Sequence, residues 1–327
     1  MSISLFKFVF ATSLLVSSIS QASLTVLTDR PQARFQKAAE LFKAQTGEDV
    51  VFVEAAYPQL LEKIQTGDLI MTKDLVLLAD LKSKNLLQSF GSVAPTSWSR
   101  IQPSMMDKNH HWTALTVRAR TLVYNPNVVQ PDNIESYADL AKSEYEGQLC
   151  LRTSKSDYNV ALTGGLLLTY GAEKTFNILS GWTRNLAAAP FSNDTAMLEA
   201  IANGACDLGI ANHYYLAQLL AQKPNLPVKI KFLNQKEGGV LTNGSGIGLV
   251  RDSNQQNLAK AFVDILLSDE IQLSISAAHF DYPAVQGLTP TTLIQNWGTF
   301  KASPLNWEDV GNQAGAAKAL MLEVGYN

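Results

Sequence analysis

Short apolar runs at 24–28, 50–53 and 68–71 are separated by stretches that read as helices. That alternation confines the chain to a parallel sheet with helices on both faces. A parallel neighbour is reached only through a crossover long enough to hold a helix. Asp29-Arg30-Pro31 is the first turn. A helix is expected over 32–45, with Phe35, Ala38, Ala39, Leu41 and Phe42 on one side and Thr46-Gly47 as its stop. Further helices are expected over 57–65 and 74–83.

The middle of the chain changes character. Residues 110–117 and 121–125 read as two extended runs with a polar break between them. A second alternating series starts at 147–151. It passes through helices near 159–170, 172–182 and 195–203, and reaches an apolar strand at 208–211. Residues 244–250 form a strand entered through glycines, 255–267 and 269–277 are helices, and 309–324 is mostly helical. Two α/β lobes explain this order, with crossovers near 115–125 and 235–250 and a cleft between them. No internal repeat or low-complexity run interrupts it.

The first residues read as a leader rather than as fold. Lys7 is followed by an apolar stretch over 8–16, and Ser20-Gln21-Ala22 ends in a small residue, which places a signal-peptidase cut after Ala22. The apolar core is shorter than the roughly 20 residues of a membrane span, and no cysteine follows the cut. A soluble periplasmic protein is expected, with no membrane insertion. Removing 22 of 327 residues leaves 305, enough for two lobes. The whole chain carries 26 basic and 29 acidic residues, net −3, and losing Lys7 makes it −4. No basic cluster with interleaved aromatics is present, so no nucleic-acid partner is expected.

Cys150 and Cys206 are the two cysteines. An even count in an oxidising compartment favours one disulfide, with two buried thiols as the alternative. No P-loop, H-E-x-x-H or G-x-S-x-G motif occurs, so no enzyme is expected. Gly244-x-Gly246-x-Gly248 is too short for a dinucleotide fingerprint and reads as a hinge or a close backbone approach. His110-His111 falls in a charged turn, where solvent exposure is expected ahead of metal ligation.

Tyr214-Tyr215 is the most informative pair. It follows the 208–211 strand and opens a helix over 216–223, with Asn212 as the expected N-cap. In α/β proteins such corners hold ligands. Two phenols on one helical turn, about 100° apart, can lean toward one object, and a hard cation such as ferric iron suits them as phenolates. The same dipeptide also serves as half-buried packing. His213 beside it reads as a cap or surface residue, or as support for the tyrosines.

Several segments resemble the periplasmic ferric-iron-binding proteins, the substrate-binding components of iron ABC importers. These are Ala39-Glu40-Leu41-Phe42 with Thr46-Gly47, Asp68-Leu69-Ile70-Met71-Thr72, Leu122-Val123-Tyr124-Asn125 and Tyr137-Ala138-Asp139-Leu140. They continue with Asn193, Ala196 to Gly204, Asp207 to Tyr215 and Ala259-Lys260-Ala261-Phe262-Val263-Asp264. The resemblance implies a type II periplasmic-binding-protein fold, the two-lobed Venus flytrap. Its N-lobe would be 23–118 plus about 245–295, and its C-lobe 119–244 plus about 296–327. It also implies ferric iron bound by Tyr214 and Tyr215, with Tyr158 added from the segment starting at Cys150. Asn193 and Asn212 would support these ligands. Cys150 and Cys206 fall where this branch of the family has a cysteine pair, and their bond would tie the Cys150 strand to the segment before the tyrosines.

The chain also departs from the family. Many relatives offer a His in the first strand-helix turn and a Glu after the third strand, where this chain has 28–32 without such a ligand and Lys73-Asp74. The open coordination sites would be taken by carbonate, another small anion or water. Arg30, Arg118 and Arg152 are the candidate anion holders, because the guanidinium fork matches carboxylate-like geometry. The implied activity is delivery of iron to an inner-membrane ABC permease, by a monomer. The rival reading is a same-fold binder of an organic or anionic solute such as thiamine, a polyamine or a phosphonate.

Overall fold

The computed structural model describes residues 23–91 and 95–327. The expected leader, 1–22, lies outside them. The first series forms β1 (Leu24–Thr28), α1 (Gln36–Thr46), β2 (Val50–Glu54), α2 (Tyr57–Glu62), β3 (Leu69–Thr72), α3 (Leu75–Ser83) and β4 (Leu87–Gln88). Then follow β5 (Trp112–Ala114) and β6 (Thr116–Tyr124). The second series is β7 (Leu149–Cys150), α4 (Asp157–Tyr170), α5 (Ala172–Arg184), α6 (Asp194–Ala202), β8 (Leu208–Asn212), α7 (His213–Gln222), β9 (Lys229–Lys231) and β10 (Thr242–Asn243). The chain ends with β11 (Gly246–Val250), α8 (Gln256–Leu266), α9 (Asp269–His279), β12 (Tyr282–Pro283), α10 (Thr292–Gln295), α11 (Trp307–Asn312) and α12 (Ala314–Glu323).

Two sheets result. The first runs β2-β1-β3-β11-β4, with β5 on β11. Its β1 lies parallel to β2 and β3, and β11 returns antiparallel. The second runs β10-β6-β8-β7, with β9 and β12 also on β6. Each sheet has its own core. Leu24, Leu27, Phe42, Ile70 and Phe262 fill the first, and Tyr137, Leu149, Trp182 and Ile210 the second. A further cluster around Met197, Leu198 and Leu216 covers the other face of the second sheet.

The chain passes between sheets at two adjacent places, from β5 to β6 and from β10 to β11, and a third time from β11 to β12, which pairs with β6. At the first two, Gly244 lies against the other crossing: a Cβ on it would sit 1.9 Å from the Thr116 carbonyl oxygen. Only glycine permits that approach. Asp74 locks the same region. Its Oδ1 caps α3 by accepting from Val76 N–H at 2.9 Å and also accepts from Asn243 Nδ2 at 2.9 Å. Its Oδ2 takes Arg118 Nη2 at 2.9 Å. Helix α11 packs against both α3 and α4, so the C-terminal segment bridges the two halves.

Two expectations are corrected here. The polar break inside 110–125 does not exist, because β6 is continuous from Thr116 to Tyr124. Arg118 and Arg120 are buried within it, each neutralised by an aspartate, so charge in this strand does not mark an exit to solvent. The first helix begins with a 3-10 turn over Gln32–Phe35 before α1. Phe35 is drawn inward to pack on Phe52 at 6.3 Å and leaves helical backbone angles.

Candidate metal centre

Strand β8 is buried along its length and ends at Asn212, so α7 starts at the C-terminal edge of the second sheet. This delivers Tyr214 and Tyr215 to the edge as neighbours, with ring centroids 4.3 Å apart. Helix α4 starts at the same edge and brings Tyr158. The Tyr214 hydroxyl donates to the Tyr158 oxygen at 3.3 Å. The structure therefore gathers the three tyrosines that the sequence singled out.

Cations surround them. The guanidinium carbons of Arg118, Arg152 and Arg120 lie 4.7, 5.1 and 6.0 Å from the Tyr158 ring centroid. Cations so placed are attracted to the electron-rich face of the ring. Arg120 was not anticipated. Its signal was present all the same: Arg118 and Arg120 are two apart on one strand and so share a face. Arg120 donates to Asn159 Oδ1 at 2.7 Å and to Asp194 Oδ2 at 3.0 Å. Arg118 is paired with Asp74, whereas Arg152 Nε and Nη1 are buried without a partner. Arg30 stands apart in the turn after β1, with its Nε also buried and unpartnered.

The supporting residues differ from expectation. Asn193 is exposed and caps α6, accepting from Ala196 N–H at 2.9 Å; the next residue, Asp194, is the one that enters the arginine network. Asn212 occupies the N-cap position of α7 but makes no side-chain cap. Its Oδ1 instead accepts from Arg120 Nη1 at 3.4 Å. His213 is neither cap nor surface residue, being fully buried. Burial pushes its pKa down to about 3, so it is neutral.

The facing turns of the first sheet hold mostly cations. Lys73 Nζ lies 3.2 Å from Asp157 Oδ2, bridging the turn after β3 to the start of α4. Arg34 pairs with Asp281 at 2.7 Å. Asp29 Oδ1 accepts from Lys73 N–H at 2.7 Å, its Oδ2 is buried without a partner, and burial raises its pKa to about 6. His110 and His111 are engaged elsewhere: His110 packs edge-on against Trp98, and His111 Nδ1 is 2.6 Å from Asp107 Oδ2. Among the described residues no group of three or more His, Cys, Asp and Glu is arranged to hold a metal.

Burial, reinforced by Tyr158 and Tyr215, raises the Tyr214 pKa well above its ordinary 10.0. A cation that converts it to phenolate must displace that proton. The scaffold is stiffened nearby by the disulfide between Cys150 and Cys206, whose Cα atoms are 5.9 Å apart. It ties β7 to the residues just before β8.

Residues 65–307 match the family described as bacterial extracellular solute-binding protein. The chain is 31% identical over 294 residues to iron uptake protein A2 of Synechocystis sp., covering 85% of this chain and 84% of that one. It is 29% identical over 295 residues to iron uptake protein A1 of the same organism, covering 87% and 82%. The solved structure of Trichodesmium FutA (IdiA) in complex with iron and citrate superposes with a TM-score of 0.87 at 30% identity, covering 94% of this chain and all of that one. The chain belongs to the bacterial extracellular solute-binding protein family, with iron-uptake proteins among its relatives.

Proposed function

We propose that the protein binds ferric iron in the periplasm and hands it to an inner-membrane ABC permease, with Tyr158, Tyr214 and Tyr215 as ligands. The observation that carries this is the meeting of three phenols from two helix N-termini, Tyr214 and Tyr158 at 3.3 Å and the Tyr215 ring tilted against that of Tyr214. Three phenolates balance the charge of one ferric ion. The unpartnered nitrogens of Arg152, beneath Tyr158, suit an accompanying anion such as carbonate, with Arg118 reinforcing the positive field and Arg30 as a further candidate from the turn after β1. The iron-uptake names of the relatives agree with this reading.

Iron is cargo here, and no covalent bond is made or broken. Among the described residues no helix is long and apolar enough to cross a membrane. The lobes would be divided near the β5–β6 and β10–β11 crossings, with 23–118 plus about 245–295 on one side and 119–244 plus about 296–327 on the other, and β12 would reach across from the first range to pair with β6. Metal binding would select a closed arrangement of these lobes, which the permease then recognises.

The test is spectroscopic. Protein loaded with ferric iron is expected to turn orange-red from tyrosinate-to-iron charge transfer, and Tyr214→Phe and Tyr215→Phe are each expected to shift or bleach the band. A colourless loaded protein refutes the iron reading.

A further inference from the structure

The residue between the metal corner and the crossings is His213. Its ring is fully buried and uses both nitrogens. Nδ1 accepts the Ala119 N–H at 3.1 Å, and Nε2, which must then carry the proton, donates to the Phe280 carbonyl at 2.9 Å. The first bond continues the β6–β8 ladder. The last paired residues are Arg120 and Asn212, and the imidazole supplies the next rung where β8 has already turned into a helix. Ala119 lies on β6 opposite Thr242 of β10, so this rung reaches the crossing strands directly.

The second bond reaches a strap over 280–282 that leads out of α9. Phe280 has φ 60°, a left-handed conformation that a non-glycine residue rarely adopts without support. His213 supplies that support twice, through the bond to the Phe280 carbonyl and by packing on the Tyr282 ring at 4.6 Å. From the other side Arg34, in the turn before α1, grips Asp281 at 2.7 Å. Tyr282 pairs with Val117 on β6. The strap is thus held between the first helix of one half and the tyrosine helix of the other.

We propose that His213 is a positioning residue that couples ligation by Tyr214 to closure of the lobes. It makes the α7 N-terminus, the crossing strand β6 and the 280–282 strap move as one piece. The inference rests on the ferric reading above. Coupling between sites needs an element that both bias. Here that element is the strap, held from one side by Arg34 and from the other by the residue next to Tyr214.

The test reads binding and closure on the same samples of the mature chain. In the wild type, iron loading is expected to give the visible band and to lower the radius of gyration measured by small-angle scattering. In His213→Gln and His213→Asn the band is expected to persist at saturation, because the phenols are untouched. Most of the contraction is expected to be lost, and iron affinity to fall by about 10-fold, the usual scale of such coupling. A variant that binds iron and contracts as the wild type does overturns the proposal. Should both variants fail to fold, amide exchange on the wild type decides. Loading must slow exchange at Ala119 and through 280–282 together, and protection confined to peptides carrying 158, 214 and 215 overturns it. A wild type without the band fails the ferric reading and this inference with it. A banded wild type whose variants contract normally fails this inference alone.

Discussion

Each phenol that ligates iron has to release a proton, and the structure sets the size of that effect. Tyrosines are neutral phenols at neutral pH. Burial holds Tyr214 more firmly in that form than usual, with Tyr158 and Tyr215 adding to it. Binding through three phenolates therefore displaces three protons. By linkage each one changes the apparent affinity tenfold per pH unit, about 1.4 kcal/mol, so three give about 4 kcal/mol per pH unit. Affinity falls as the medium is acidified. The measurement is competition against one aminopolycarboxylate chelator from about pH 6 to about pH 8, a range below the phenol values, read on the visible band. The chelator's own protonation is common to every protein compared and cancels in differences. Tyr158→Phe keeps the ring beside Arg118 and Arg152 and removes only the oxygen that accepts from Tyr214. Its slope of log affinity against pH is expected to be lower than the wild-type slope by about one. Tyr214→Phe and Tyr215→Phe are expected to do the same. Parallel lines for wild type and all three variants would refute phenolate ligation, whatever the affinities themselves.

The scaffold around the phenols gives two further expectations. Asp194→Ala leaves Arg120 buried without its carboxylate, and the chain is expected to lose about 3–5 kcal/mol in urea unfolding; a loss below 1 kcal/mol, the range of an exposed pair, would mean that Arg120 finds other partners. Asp29 behaves oppositely. Its folded-state pKa is raised from 3.8 to about 6, so its contribution is most favourable below 3.8 and is lost as pH rises through about 6. Asp29→Asn keeps an oxygen for the Lys73 N–H and is expected to stabilise the metal-free protein by about 1–3 kcal/mol at neutral pH, with no gain near pH 4. Thermal melts at the two pH values check this.

Much of the fold could be read from the chain because period and punctuation agree there. The apolar run of β1, the one-sided pattern of α1 and the stop at Gly47 all point one way, and Gly47 does adopt the left-handed cap, with φ 78°. The crossings were visible as a change of pattern and a run of glycines. What stayed hidden depends on contacts distant in sequence. Arg118 and Arg120 look like a solvent exit until Asp74 and Asp194 are known to neutralise them. Asn212 looks like a helix cap until Arg120 approaches its side chain. His213 looks like a surface residue because its two partners, Ala119 and Phe280, are 94 and 67 residues away. Tyr214 and Tyr215 were legible because a strand-to-helix corner is a local event, Tyr158 only through the family resemblance, and of the cations Arg118 and Arg152 were named while Arg120 was not.

The distribution of charge across the cleft bears on the anion. Every phenol comes from the half built on the second sheet, and three phenolates with ferric iron sum to zero. Of the arginines around Tyr158, Arg118 and Arg120 are already matched by Asp74 and Asp194. Arg152 keeps two buried nitrogens unpartnered. An anion that fills the open coordination sites and engages the Arg152 guanidinium is therefore best matched when it carries negative charge, which carbonate does and water does not. Two consequences follow for Arg152→Gln. With carbonate present, iron affinity is expected to fall by about 10- to 100-fold, the scale of one charge-assisted hydrogen bond. With carbonate rigorously excluded, the variant is expected to bind like the wild type, since the guanidinium then has nothing to hold. An equal loss under both conditions would mean that Arg152 acts on Tyr158 through its field rather than on an anion, and the anion argument would fail.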